Sequence, residues 1–252
     1  MGNITSGDIV KGLQAEGLVP GCKLLVHSSL SSFGYVEGGV DAVIDALLEV
    51  VGVAGTILVP TLTGSETLSR NNPPVFDPLN TPCWTGKIPE TFRKRPDAIR
   101  SIHPTHSVAA IGADAHLLTK DHWFSITPCD QYSPYGKLAQ QPESAILLIG
   151  TDHQSSTMFH HVEETVGTDY HMQAGFAKAK LMIEGKEVYR HDMLHQYGTP
   201  RNFGIMEDVF VERGIQKTFT IGNATLRLVK ALEMVELTAR CLTADPRILR
   251  QM

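Results

Sequence analysis

Two short apolar runs with a helical repeat between them constrain this chain more than any other feature. Lys23-Leu24-Leu25-Val26-His27 and Thr56-Ile57-Leu58-Val59-Pro60 are strand-length and aliphatic. Runs of this kind read as strands covered on both faces. Between them Val40, Val43, Ile44, Leu47, Leu48 and Val51 recur at helical spacing, and Gly52 and Gly55 end the repeat. The apolar stripe predicts a helix packed on the sheet that the two strands begin. Strand, helix and strand in this order give a parallel pair with a right-handed crossover, so the fold class is α/β. A helix over 7–16, capped by Thr5 or Ser6, precedes the unit.

The pattern recurs where it carries chemistry. Ala145-Ile146-Leu147-Leu148-Ile149 is a buried strand stopped by Gly150, a polar turn covers 151–156, and a helix starts at Thr157 with Ser156 or Thr157 as its cap. His160 and Glu163 are three residues apart and share a helix face. A carboxylate one turn away holds an imidazole in one orientation, which a general base needs. The pair lies just past the C-terminal end of a strand, where open α/β sheets place their sites. On an exposed face the same two residues would be an ordinary pair worth about 0.2–0.5 kcal/mol.

Elsewhere the loop 28–39 is rich in small residues and leads into a helix, so its backbone N–H groups suit a phosphate. Pro73, Pro74, Pro78, Pro82, Pro89 and Pro96 break residues 64–97 into a long loop over the sheet edge, with one short helix near Glu90. Val108 to Gly112 reads as a strand, Phe176 to Ile183 and Val188 to His191 as a hairpin, and Thr225 to Leu242 as a long amphipathic helix. No composition break divides the chain, so 1–252 is taken as one domain. With 22 Lys and Arg against 27 Asp and Glu the net charge is −5, which disfavours nucleic acid and suits a cationic partner. Cys22, Cys83, Cys129 and Cys241 are scattered without a CxxC and read as reduced thiols of a cytoplasmic protein. No apolar run reaches transmembrane length, and Gly2 with Ser6 matches a myristoylation pattern by chance.

Eleven histidines make a metal-dependent hydrolase the competing reading. His103 and His106 are three apart and His191 and His195 four apart, with His153, His160 and His161 in reserve. The segment 191–195 has no Glu in the HExxH place, and no metal is expected. No GxSxG elbow is present. Arg201-Asn202-Phe203-Gly204-Ile205-Met206 has Met where the GNAT pyrophosphate loop needs a small residue.

Several motifs fall in one order along nearly the whole chain. They are Leu24-Leu25-Val26-His27-Ser28-Ser29-Leu30, Gly55-Thr56-Ile57-Leu58-Val59-Pro60-Thr61 and Thr85-Gly86-Lys87-Ile88-Pro89-Glu90-Thr91-Phe92-Arg93. Then come Arg100-Ser101 with His103-Pro104, Ser107, Ala109-Ala110 and Gly112; Thr127-Pro128 with Ser133-Pro134; and Leu147-Leu148-Ile149-Gly150 with Thr157, His160 and Glu163. Together they resemble the aminoglycoside 3-N-acetyltransferase (antibiotic NAT) family. The resemblance implies a three-layer α/β/α sandwich with a mixed, largely parallel central sheet, distinct from the GNAT fold. It implies acetyl-CoA as cosubstrate, coenzyme A and an aminoglycoside or other aminosugar as partners, and antibiotic resistance by 3-N-acetylation. An amine outside the antibiotics is the alternative substrate. His160 matches the catalytic histidine and Glu163 its partner carboxylate. His27, Ser28, Ser29, Leu30, Ser31 and Tyr35, with Ser101, His103 and Ser107, match segments that line the coenzyme. Glu163 and Asp192, with Asp130 and Glu164, are carboxylates available to a cationic amine. The chain departs from the commoner Thr-Pro-Phe-Gly at Thr127-Pro128-Cys129-Asp130.

Overall fold

The computed structural model describes residues 3–250; Gly2 of the acylation pattern lies outside the described residues. The chain begins α1 (Ser6–Ala15), β1 (Lys23–Ser28), α2 (Gly39–Val51) and β2 (Thr56–Pro60). It continues β3 (Val75–Phe76), α3 (Lys87–Phe92), β4 (Ile99–Arg100), β5 (Val108–Gly112), α4 (Ala115–Thr119) and α5 (Pro134–Ala139). The second half is β6 (Ser144–Ile149), α6 (Met158–Val166), β7 (Ala177–Ile183), β8 (Lys186–Asp192), α7 (Glu207–Glu212), β9 (Gln216–Ile221), β10 (Ala224–Lys230) and α8 (Ala231–Ala244).

Seven strands form the central sheet in the order β4-β5-β2-β1-β6-β10-β9. β1 pairs parallel with both β2 and β6. The other pairings are antiparallel, so β1, β2, β4, β6 and β9 run one way and β5 and β10 the other. Successive strand residues point to opposite faces, and each face has its own core. Leu24, Val26, Ile57, Val59, Leu147 and Ile149 pack against α1, α2 and α3. Leu25, Leu58, Val108, Ala110, Ile146 and Leu148 pack against α4, α5, α6 and α8. The result is the expected α/β/α sandwich with a mixed sheet. A second, small sheet, β3-β7-β8, closes over a core of Phe76, Ala179 and Leu181. Its hairpin turns at Glu184-Gly185, both with positive φ (50° and 75°), as a two-residue type I′ turn requires.

Two expectations need correction. The long helix expected over 225–242 is a strand as far as Lys230 and becomes α8 only at Ala231. Ala224, Leu226 and Val229 are buried against the sheet, while the two-residue turn Gly222-Asn223 folds β10 onto β9. No Gly or Pro separates strand from helix, so the helical repeat of 231–242 runs back over the strand in the sequence. The long loop 64–97 contains β3 as well as the expected short helix, and its edge strand β4 follows directly. Half-buried Arg100 pins this loop by donating to the carbonyls of Thr61, Pro78 and Thr81.

Candidate active site

The C-terminal ends of the three parallel strands open into a cleft of about 440 Å³. That volume is in the range of small-molecule sites, roughly 300–1,000 Å³. Val26, His27, Ser28 and Ser29 line it from β1, Pro60 and Leu62 from β2, and Gly150 to Thr157 and His160 from the β6–α6 connection. Trp84, Thr85 and Pro89 of the long loop form the opposite wall. Trp84 Nε1 donates to Gly64 O at 2.7 Å and Thr85 Oγ1 to Pro60 O at 2.6 Å, which fixes that wall to the strand ends. The loops after β1 and β6 meet at Gly150, where a Cβ would collide with the Ser32 side chain. Only glycine allows this approach, and its φ of +60° suits no other residue as well.

His160 lies in the first turn of α6, on the cleft wall. Its Nδ1 is 2.7 Å from Glu163 Oε2. Phe203 meets the ring edge-on at 5.4 Å between centroids and limits its rotation. Glu163 is fully buried, and its Oε1 accepts from Arg201 Nε at 3.0 Å. Burial pushes the Glu163 carboxyl up, but the His160 hydrogen bond and the Arg201 guanidinium outweigh it and bring the group down to about 2. Glu163 is thus an ionised acceptor, so His160 Nδ1 donates to it and Nε2 is the nitrogen left free to exchange a proton. Arg201 is the partner that sequence reasoning missed. It sits 38 residues from Glu163 in the chain, with no local pattern to mark it.

Behind His160 the interior is crowded with imidazoles. His195 lies 4.7 Å from His160 between ring centroids, and His106 lies 4.4 Å from His195. His195 Nε2 is 2.7 Å from Glu164 Oε1. Glu164 also accepts from Thr127 Oγ1 at 2.6 Å and from the Cys129 backbone N–H at 2.9 Å. Burial pushes Glu164 up to about 8 against these hydrogen bonds.

A profile of the family described as aminoglycoside 3-N-acetyltransferase matches residues 25–243. The chain belongs to the aminoglycoside 3-N-acetyltransferase family. The SPbeta prophage-derived aminoglycoside N(3')-acetyltransferase-like protein YokD of Bacillus subtilis (strain 168) is 34% identical, over 92% of this chain and 90% of that protein. A mutant of aminoglycoside acetyltransferase AAC(3)-IVa, solved in complex with a gentamicin, superposes with a TM-score of 0.86 at 25% identity, over 100% of this chain and 93% of that one. AAC-IIIb, solved as a binary complex with CoASH, shares the fold with a TM-score of 0.83 at 24% identity, over 96% and 97% of the two chains. The family is one of acyltransferases, and membership supports acetyl-CoA-dependent acetylation of an aminoglycoside, with acetyl-CoA as cosubstrate.

Of the residues the family resemblance marked, the structure brings His27, Ser28, Ser29, His160 and Glu163 together, four on the cleft wall and Glu163 directly behind. Leu30 turns away into the α1–α2 core, Ser31 is exposed beyond the cleft, and Tyr35 is two-thirds exposed outside it. Ser101, His103 and Ser107 are interior residues, not wall residues. Ser101 Oγ pairs with His122 Nδ1, His103 Nδ1 accepts from the His106 N–H, and Ser107 Oγ donates to Thr61 O. Asp192 is wholly buried against Arg190, and both Glu163 oxygens are engaged, so neither carboxylate is open to a substrate amine. Asp130 holds its own loop by accepting from Ser125 Oγ and the Ile126 and Tyr132 N–H groups. The N–H groups of Ser29, Ser32 and Gly34 donate to carbonyls of the protein, which removes them as phosphate donors. His191 and His195 do not converge: the segment is a strand and its continuation rather than a helix, so residues four apart are spread roughly 13 Å along it, and His191 is exposed. Among the described residues no helix is long and apolar enough to cross a membrane.

Proposed function

We propose that His160 is the general base of acetyl transfer to an aminoglycoside amine, that Glu163 orients it and that Arg201 keeps Glu163 charged. The observation that carries this is a cleft-wall imidazole with Nδ1 tied to a buried carboxylate, which leaves Nε2 as the acceptor. The 3-N position follows from the family, and the proposal includes a cytoplasmic setting and a resistance role. The four unpaired cysteines support the setting.

The cleft suits the thioester end of acetyl-CoA. Its wall is apolar at Val26, Pro60, Leu62 and Pro89. Three of its polar atoms, His27 Nε2, Ser28 Oγ and Ser156 Oγ, are buried without a partner among the described residues. Burial lowers the His27 ring to about 3, so it is neutral. Such orphaned groups are costly unless a ligand pairs with them, and the amides of a pantetheine arm are matching partners. Acetyl-CoA supplies the acetyl group as a thioester. The substrate amine must attack as a free base, since an ammonium has no lone pair. His160 Nε2 takes the proton that the nitrogen loses as the C–N bond forms. The C–S bond then breaks, and His160 can return that proton to the leaving thiolate. Glu163 stabilises the imidazolium formed in between. The net negative charge assists arrival of a polycationic sugar.

Thiol release from acetyl-CoA, measured against a panel of aminoglycosides, tests the activity. Release with none of them would sink the substrate, and near-normal turnover by His160→Ala would sink the base.

A further inference from the structure

Acetyl transfer leaves unused a cluster directly behind His160. One ligand atom each of His106, Cys129 and His195 lie within 4.8 Å of one another, and all three residues are buried. They come from three segments: His106 from the turn before β5, Cys129 from the loop before α5 and His195 from just beyond β8. Each ring is already oriented through one nitrogen. His106 Nδ1 lies 2.9 Å from Thr105 Oγ1, and His195 Nε2 lies 2.7 Å from Glu164 Oε1. His106 Nε2 and His195 Nδ1 are then the nitrogens free of these hydrogen bonds. Cys129 is unpaired, and its backbone is held on both sides, its N–H by Glu164 and its carbonyl by His161 Nδ1.

We propose that His106, Cys129 and His195 bind one zinc ion through two imidazole nitrogens and a thiolate. This donor set is suited to Zn²⁺ and foreign to Mg²⁺ or Ca²⁺, which take oxygen. With the ion bound, Glu164 and His195 would form the carboxylate–histidine arrangement that orients zinc ligands. Three protein ligands leave a fourth position for water. His160 borders the cluster, and so does His171, whose Nε2 is buried without a partner and whose ring is 6.0 Å from that of His195. Binding releases the thiol proton and bound water to solvent and changes no oxidation state. The ion ties three loops together beneath the helix that carries the base.

The test reads the metal, not turnover, so it stands or falls apart from acetyl transfer. Protein purified from zinc-supplemented growth should retain about one zinc per chain by plasma mass spectrometry, as three buried N and S ligands predict. Replacement by Co²⁺ should give a thiolate-to-cobalt charge-transfer band. Cys129→Ser should remove that band, and Glu164→Gln should weaken zinc binding by about 10–100-fold. His153→Gln, whose ring pairs with Gln216 outside the cluster, should leave the band intact. Folded wild-type protein that holds no stoichiometric zinc and shows no such band overturns the proposal, whatever the variants do. So does a Cys129→Ser protein that keeps the band.

Discussion

Glu163 and Glu164 are successive residues of α6, both with buried side chains, and the fold treats them in opposite ways. Glu163 meets Arg201 and the His160 ring, and is drawn down to about 2. Glu164 meets a hydroxyl, a backbone N–H and the His195 ring, which burial keeps neutral, and is pushed up to about 8. Burial is common to both, so burial does not decide the outcome. The His160 ring and a guanidinium on one side, and only neutral donors on the other, decide it. The side of α6 with the compensating charge faces the cleft and can handle a proton. The other side holds rings and a thiol in place.

The contrast breaks most visibly at His160. His160→Ala should lower turnover by about 10²–10⁴-fold, the usual contribution of a general base, while circular dichroism and acetyl-CoA binding stay as in the wild type. Glu163→Gln sharpens it through pH. The folded value of about 2 lies below the ordinary 4.5, so the carboxylate's stabilisation is present above 4.5 and drains away as pH falls toward 2. Urea unfolding should therefore show wild type ahead of Glu163→Gln by on the order of 3 kcal/mol at neutral pH. The gap should close on acidification. A gap independent of pH would mean that Glu163 is not held ionised by its partners.

Much of this was readable from the sequence. The α2 repeat, the aliphatic runs of β1, β2 and β6, and the His160–Glu163 spacing are local patterns, and local geometry fulfils them. What escaped depends on distant pairing. β9 is a short, half-polar strand, QKTFTI, which means little until β10 lies beside it. Arg201 reaches Glu163 from a loop with no periodic signature. Ser101, His103 and Ser107 follow the family pattern as faithfully as His27 and Ser28, and a pattern does not distinguish a wall residue from the foundation behind it. Cys129 stands between two histidines only because three loops converge; no spacing in the chain joins them.

Two smaller effects test the two sides against each other. Arg201→Met keeps a long apolar stem but removes the charge, and should cost about 2 kcal/mol in unfolding free energy, the range for a hydrogen bond to a charged group. It should also raise the pH at which the protein unfolds in acid, since Glu163 then loses part of what holds its value down. Thr127→Val is the matching change on the other side. It preserves shape and removes the Oγ1–Glu164 hydrogen bond of 2.6 Å, while the Cys129 N–H and His195 still serve the same carboxyl. One of several neutral donors is lost, so the cost should be about 1 kcal/mol, with turnover unchanged. If Thr127→Val proved as costly as Arg201→Met, Glu164 would carry its charge in the fold as Glu163 does, and the division of α6 into a charged side and a neutral one would be lost.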